Sequence, residues 1–200
     1  HGWVTIASGN TNVVNGLLLV PIYAVFGASS LTMKLVPLLW HAATVALLVH
    51  LLARHVGRLA GAAAGVLCVL GPPALQKLSV LGLSSHLESM LPFLLALWPW
   101  LEMTSRRRFG VGPAFAFGAA VGFAAFFHVQ ALMPCLGLLG LLLAAELPAL
   151  FPRGLAALVA GLLLCSAPSF AFEVGNFEIL GASFAAGDEA QPAGAQGDYG

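Results

Sequence analysis

Charge is what this 200-residue chain has least of: two lysines, six arginines, six glutamates and two aspartates make up 8% of it. So few ionised side chains cannot cover a water-exposed globule of this size. Together with a mean hydropathy of +0.94, they place the chain among integral membrane proteins. The formal net charge is zero, and no basic run is interleaved with aromatics, which excludes a nucleic-acid surface. Cysteine is equally sparse. Cys68, Cys135 and Cys165 stand inside apolar blocks, with no CxxC and no neighbouring histidine pair, so neither a disulfide framework nor a zinc site is expected. The sequence also lacks a Gly-rich phosphate loop, a nucleophile elbow, EF-hand spacing and any histidine pair at i, i+4, so no metal and no cofactor is expected. No targeting signal is visible. The chain opens at His1 and closes within a polar run from Ala185 to Gly200, and is expected to be part of a longer polytopic protein.

What the chain does have is apolar blocks divided by breakers. Residues 1–12 form a turn-rich polar segment with Ser8, Asn10, Thr11 and Asn12. Val13 to Phe26 is apolar but interrupted by Asn15, Gly16 and Pro21, and too short for a crossing, which takes about 20 residues. Ser30 is placed to cap a helix from Leu31 to about His55, the first full span. Leu59 to Leu70 runs back until Gly71-Pro72-Pro73 stops it. From Arg58 to Pro72 is 14 residue steps, about 21 Å, against a hydrocarbon layer of about 30 Å. Irregular backbone at that depth is tolerated only where it is buried in protein or lines a water-filled cavity. Residues 71–85 are therefore expected to face an internal cavity. A third span follows from Ser85 to about Leu101, with Trp98 and Trp100 as interfacial anchors. Phe109 to Leu150 is long enough for two crossings with a turn at His128 to Pro134, and Gly154 to Phe172 makes a sixth span.

The fold class is thus all-α: a polytopic transmembrane helix bundle of about six spans with a short re-entrant or interfacial helix at the N-terminus. Residues 1–28 would be part of a first external loop carrying that helix, 29–172 the bundle, and 173–200 an external loop or the start of a soluble domain. Arg54, Arg58, Arg106, Arg107, Arg108 and Arg153 fall on one side of this topology. Glu88, Glu173, Glu178, Asp188, Glu189 and Asp198 fall on the other. By the positive-inside rule the arginine side is cytoplasmic, with the bacterial inner membrane as the expected location and an active face outside.

Polar residues within the apolar frame are the candidates for function. Ser85-His86-Leu87-Glu88 has the S-x-x-E form of a capping box at the start of the third span, which accounts for Glu88. It does not account for Lys77 and His86. With exposed amides at a helix N-terminus these two would make a positive pocket, and a phosphate is its natural occupant. Lys34, His41 and Thr44 share one face of the first full span and are expected to turn inward, with Lys34 as a second phosphate contact. The bland alternative for each lysine is snorkelling at the membrane edge. His50 and His55 read as interfacial, and His128 and Gln130 as loop residues.

The order of these features resembles the lipid-linked-sugar glycosyltransferases of the GT-C type, in particular bacterial relatives of the dolichyl-phosphate-mannose mannosyltransferases and the lipid A aminoarabinose transferase. The segments that carry the resemblance are Asn15 to Pro21 running into Phe26-Gly27-Ala28-Ser29, Lys34-Leu35, Leu52-Ala53-Arg54, Gly71-Pro72-Pro73, Gly82 to Glu88, and Gly161 to Pro168 followed by Asn176. The resemblance implies a polyprenyl-phosphate sugar as donor, a glycan, lipid or protein as acceptor, and membrane lipids around the bundle. It also implies a catalytic aspartate in the first external loop. No aspartate precedes Asp188, so that residue is not carried over. Lys77, His86, Glu88 and Lys34 remain as donor-binding candidates. The competing reading is a transporter or flippase module for a lipid-linked or small anionic substrate. A transporter places ionisable groups near the midplane, whereas this chain keeps nearly all of them at helix ends.

Overall fold

The computed structural model describes residues 13–71, 89–127 and 129–168, and these fold entirely into helices. They are α1 (Val13–Phe26), α2 (Ser30–His55), α3 (Arg58–Val69), α4 (Met90–Arg106), α5 (Val111–Phe127), α6 (Val129–Leu150) and α7 (Arg153–Pro168). Two of them, α2 and α6, are long and apolar enough to cross a membrane. Only 22% and 17% of their most apolar windows are buried, which sets them apart from the core helices of a water-soluble protein.

The chain between α1 and α2 is a tight turn. Gly27 ends α1 in the left-handed conformation (φ 74°) that glycine adopts without a Cβ clash. Ser29 then caps α2 through a capping box. Its hydroxyl accepts from the Thr32 N–H at 3.1 Å, and its own N–H donates to Thr32 Oγ1 at 2.9 Å. The cap therefore stands at Ser29 rather than at Ser30, which is the first helical residue, because the reciprocal partner three residues on must be Thr32 and not Met33. Two further boundaries differ from the sequence expectation. The capping position of α4 is Ser89, so α4 does not open at Ser85. The helix α5 ends at Phe127 and α6 begins at Val129, with His128 between them outside the described residues. Gln130 and Pro134 lie within α6, where Pro134 removes one N–H from the helical ladder without ending the helix. Near its other end α6 loses helical geometry at Glu146 (φ −131°, ψ 15°), two residues before Pro148, whose ring crowds the preceding turn.

At the centre of the bundle stands α5. Ala114, Phe117, Gly118, Ala120, Val121, Gly122, Ala124 and Phe127 are buried and cover more than half of its circumference, while Phe115 and Ala116 on the remaining face are exposed. It packs against α4 and α6 and, through its glycines, against α7. A Cβ on Gly118 would overlap the Leu158 carbonyl, one on Gly122 the Leu162 carbonyl, and one on Gly161 the Phe115 carbonyl. The two helices run parallel, backbone against backbone, as small-xxx-small pairs permit. The same device joins α3 to α2: Gly61 and Gly65 face Ala53 and Val49, and a Cβ on Gly61 would lie 2.8 Å from Ala53 Cβ.

Candidate functional site

These contacts set the level of each helix end along α2. Gly61 opposite Ala53 and Gly65 opposite Val49 make α3 antiparallel to α2, so Val69 stands level with about Val45. Arg54 pairs with Glu102 and His50 stacks edge-on against Trp98, with ring centroids 5.8 Å apart. These two pairs run in parallel, which places Met90 level with about Ala42. Trp40 stacks on Phe127 at 5.4 Å, bringing the end of α5 to the same height, and Pro168 ends α7 beside it through the Gly118 and Gly122 contacts. The ends of α3, α5 and α7 and the beginnings of α4 and α6 therefore form one floor between Trp40 and Val45. Beyond it, among the described residues, α2 continues with α1 alone for 10 to 15 residues, about 15–22 Å, as a wall above the floor.

The floor gathers polar groups in an otherwise apolar setting. The Thr44 hydroxyl, buried, donates to the Trp40 carbonyl at 2.8 Å. The Trp40 indole N–H is buried with no acceptor among the described residues, a desolvated donor that costs about 1–3 kcal/mol while it stays unpaired. His41 is half-buried at the foot of the wall, and Ser89 is buried at the start of α4. Lys34 stands on the wall, two turns above His41, and is exposed. Of the expected stripe of Lys34, His41 and Thr44, only Thr44 is fully turned inward. Among the described residues no helix other than α1 packs against α2 above the floor, and Lys34 is exposed there.

Lys77, His86 and Glu88, the other three expected site residues, lie outside the described residues. The segment that holds them is joined to the floor at both ends, by Gly71 after α3 and by Ser89 before α4.

At the opposite end the structure assembles a group that the sequence pattern indicates only by half. Glu102 lies between Arg54 Nη2 at 2.6 Å and Arg106 Nε at 3.3 Å. Its Oε1 faces the Arg54 guanidinium without an N–H directed along the line between them. The i, i+4 spacing of Glu102 and Arg106 is the sequence signal for one half of this cluster. Nothing in the sequence indicates the other half, which depends on α2 and α4 running side by side. Trp98 is exposed at this end, as an interfacial anchor would be. Trp100 instead packs against the core with its indole N–H buried, because two residues along a helix turn a side chain by about 200°.

No protein-family model matches the chain, and neither the curated proteins nor the solved structures include a match to it.

Proposed function

We propose that this chain is a membrane-embedded helix bundle that holds a polyprenyl-phosphate sugar above the recessed floor, as the donor-binding scaffold of a glycosyltransferase. The observation that carries the reading is the height of the floor. Arg54 to Thr44 spans about 15 Å and Arg54 to Trp40 about 21 Å, so with the arginines at one edge of a hydrocarbon layer about 30 Å thick, the floor lies inside the layer. A site at that depth beside α2 would take a polyprenyl chain from the side and its phosphate from above.

In this reading α2 to α7 are the six members of the bundle, with α3 stopping short, and large apolar side chains that stand exposed, such as Leu38, Leu39, Leu67, Leu141 and Leu164, contact lipid. Lys77 and His86, in the segment tied to the floor at both ends, and Lys34 on the wall stabilise the departing lipid phosphate while an acceptor hydroxyl attacks the anomeric carbon. The site opens on the face opposite the arginines, which by the positive-inside rule is the outer face of the membrane.

The test is donor binding to the full chain. Lys77→Ala, His86→Ala and Lys34→Ala each remove a charge-assisted hydrogen bond worth about 1.5–3 kcal/mol, roughly 10- to 100-fold in affinity. Unchanged affinity for a polyprenyl-phosphate sugar in all three variants overturns the reading. Transfer of a labelled polyprenyl-phosphate between leaflets by reconstituted protein would replace it with the flippase.

A further inference from the structure

The arginine end of the bundle carries more charge than its folding uses. Arg54 and Arg106 are engaged by Glu102. Arg58, Arg107, Arg108 and Arg153 are exposed and make no ion pair among the described residues. Counting all six arginines against Glu102 and Glu146, the described residues at this end hold a net charge of +4.

The arginines also stand where helix stability does not ask for them. Arg58 and Arg153 are the first residues of α3 and α7, and a helix N-terminus disfavours a cation. Arg107 sits in the left-handed conformation (φ 46°) at the C-cap of α4, a position where glycine would be free of strain. A local cost, electrostatic at Arg58 and Arg153 and in the backbone at Arg107, is thus accepted at three places that all present a guanidinium.

Between them lie large apolar side chains that are just as exposed: Val56 at 71%, Leu59 at 84%, Val111 at 56% and Phe151 at 68%. The end contacts keep the group together, since Gly154 approaches the Phe109 carbonyl and Arg54 reaches Glu102.

From this alternation we infer that the arginine end is a docking surface for anionic phospholipid headgroups, with Arg58, Arg107, Arg108 and Arg153 on the phosphates and Val56, Leu59, Val111 and Phe151 in the first acyl carbons. A nucleic acid or an acidic peptide would match the charge but leave those apolar side chains in water. The inference rests on the membrane part of the proposed function and not on its sugar chemistry.

The full chain, purified from mixed micelles holding equimolar phosphatidylglycerol and phosphatidylcholine, should retain phosphatidylglycerol in excess. Each arginine near a charged surface contributes about fivefold, so Arg107→Gln/Arg108→Gln/Arg153→Gln should lower the excess by about tenfold or more. High salt should lower it as well. The corresponding triple lysine variant should keep it, which separates loss of charge from loss of fold. Equal retention of the two lipids by a chain that stays in carbonate-washed vesicles overturns the surface and leaves the membrane reading standing. Release of the chain by that wash overturns the membrane reading itself. Preferential retention of a short RNA over phosphatidylglycerol overturns the choice of partner.

Discussion

Gly118→Ala is the sharpest probe of how this bundle holds together. The new Cβ would overlap the Leu158 carbonyl oxygen and lie 2.7 Å from its carbon and 3.0 Å from Leu158 Cα. Ordinary carbon contacts are about 3.5–4.0 Å, so α7 must withdraw by roughly 1 Å, and what withdraws is backbone, which has no rotamer to change. A gap of that size forfeits a quarter to a half of each contact's attraction along the α5–α7 seam. Overpacking of this kind costs about 1–3 kcal/mol, and a backbone obstacle argues for the upper end. Against it stands a gain of about 1 kcal/mol from replacing glycine by alanine in a helix. The net loss is about 2 kcal/mol, or roughly 4–8 °C in Tm for a chain of this size.

The control is Gly137→Ala in α6, where nothing lies within 4 Å of the added Cβ. That variant should be neutral or stabilised by up to about 1 kcal/mol. Thermal unfolding followed by circular dichroism in one detergent compares the two directly. Gly118→Ala/Gly122→Ala should fall short of the sum of its singles, because one displacement of α7 relieves both clashes. A Gly118→Ala variant as stable as the unsubstituted chain, or a Gly137→Ala variant equally destabilised, would refute the packing argument.

Glu102→Gln and Arg54→Gln should show a coupling of about 0.5–1 kcal/mol in a double-mutant cycle at low salt, discounted for the partial exposure of both side chains; no coupling would make the ion pair incidental. Thr32→Val removes the reciprocal half of the α2 capping box and should cost about 1 kcal/mol by the same thermal assay, whereas Thr32→Ser, which keeps the hydroxyl, should cost less. In a variant freed of Cys68, Cys135 and Cys165, cysteines at the exposed positions Ser30 and Ser105 should be labelled by an impermeant reagent from opposite sides of a sealed vesicle. Labelling of both from one side would remove α2 and α4 as crossing helices.

Much of this architecture is legible in the amino-acid sequence. Helical periods, the Gly27 to Ser30 break, the Arg54 to Arg58 turn and the stop after Leu70 are local events, each set by glycine, proline or a capping hydroxyl within a few positions of the boundary. So is the gathering of arginines at alternate helix ends, which follows from counting helices along the chain. The height of the floor is not legible there. Helix lengths along the chain make α1 and α3 run short, whereas the ends of α3, α5 and α7 and the starts of α4 and α6 share one level and α2 is the helix that overshoots. That level depends on which residues meet between helices, on Gly61 opposite Ala53 and on Trp40 opposite Phe127, and no single helix contains that information. Glu102 differs for the same reason: one partner lies four residues along its own helix, the other on a helix 48 positions earlier in the chain. By itself the sequence determined where helices start, stop and carry charge, because those depend on neighbours in the chain. Tertiary structure alone decided which helix ends share one level and which arginines have no ion pair among the described residues, because close approach of helix backbones at a few glycines sets the register of helix against helix.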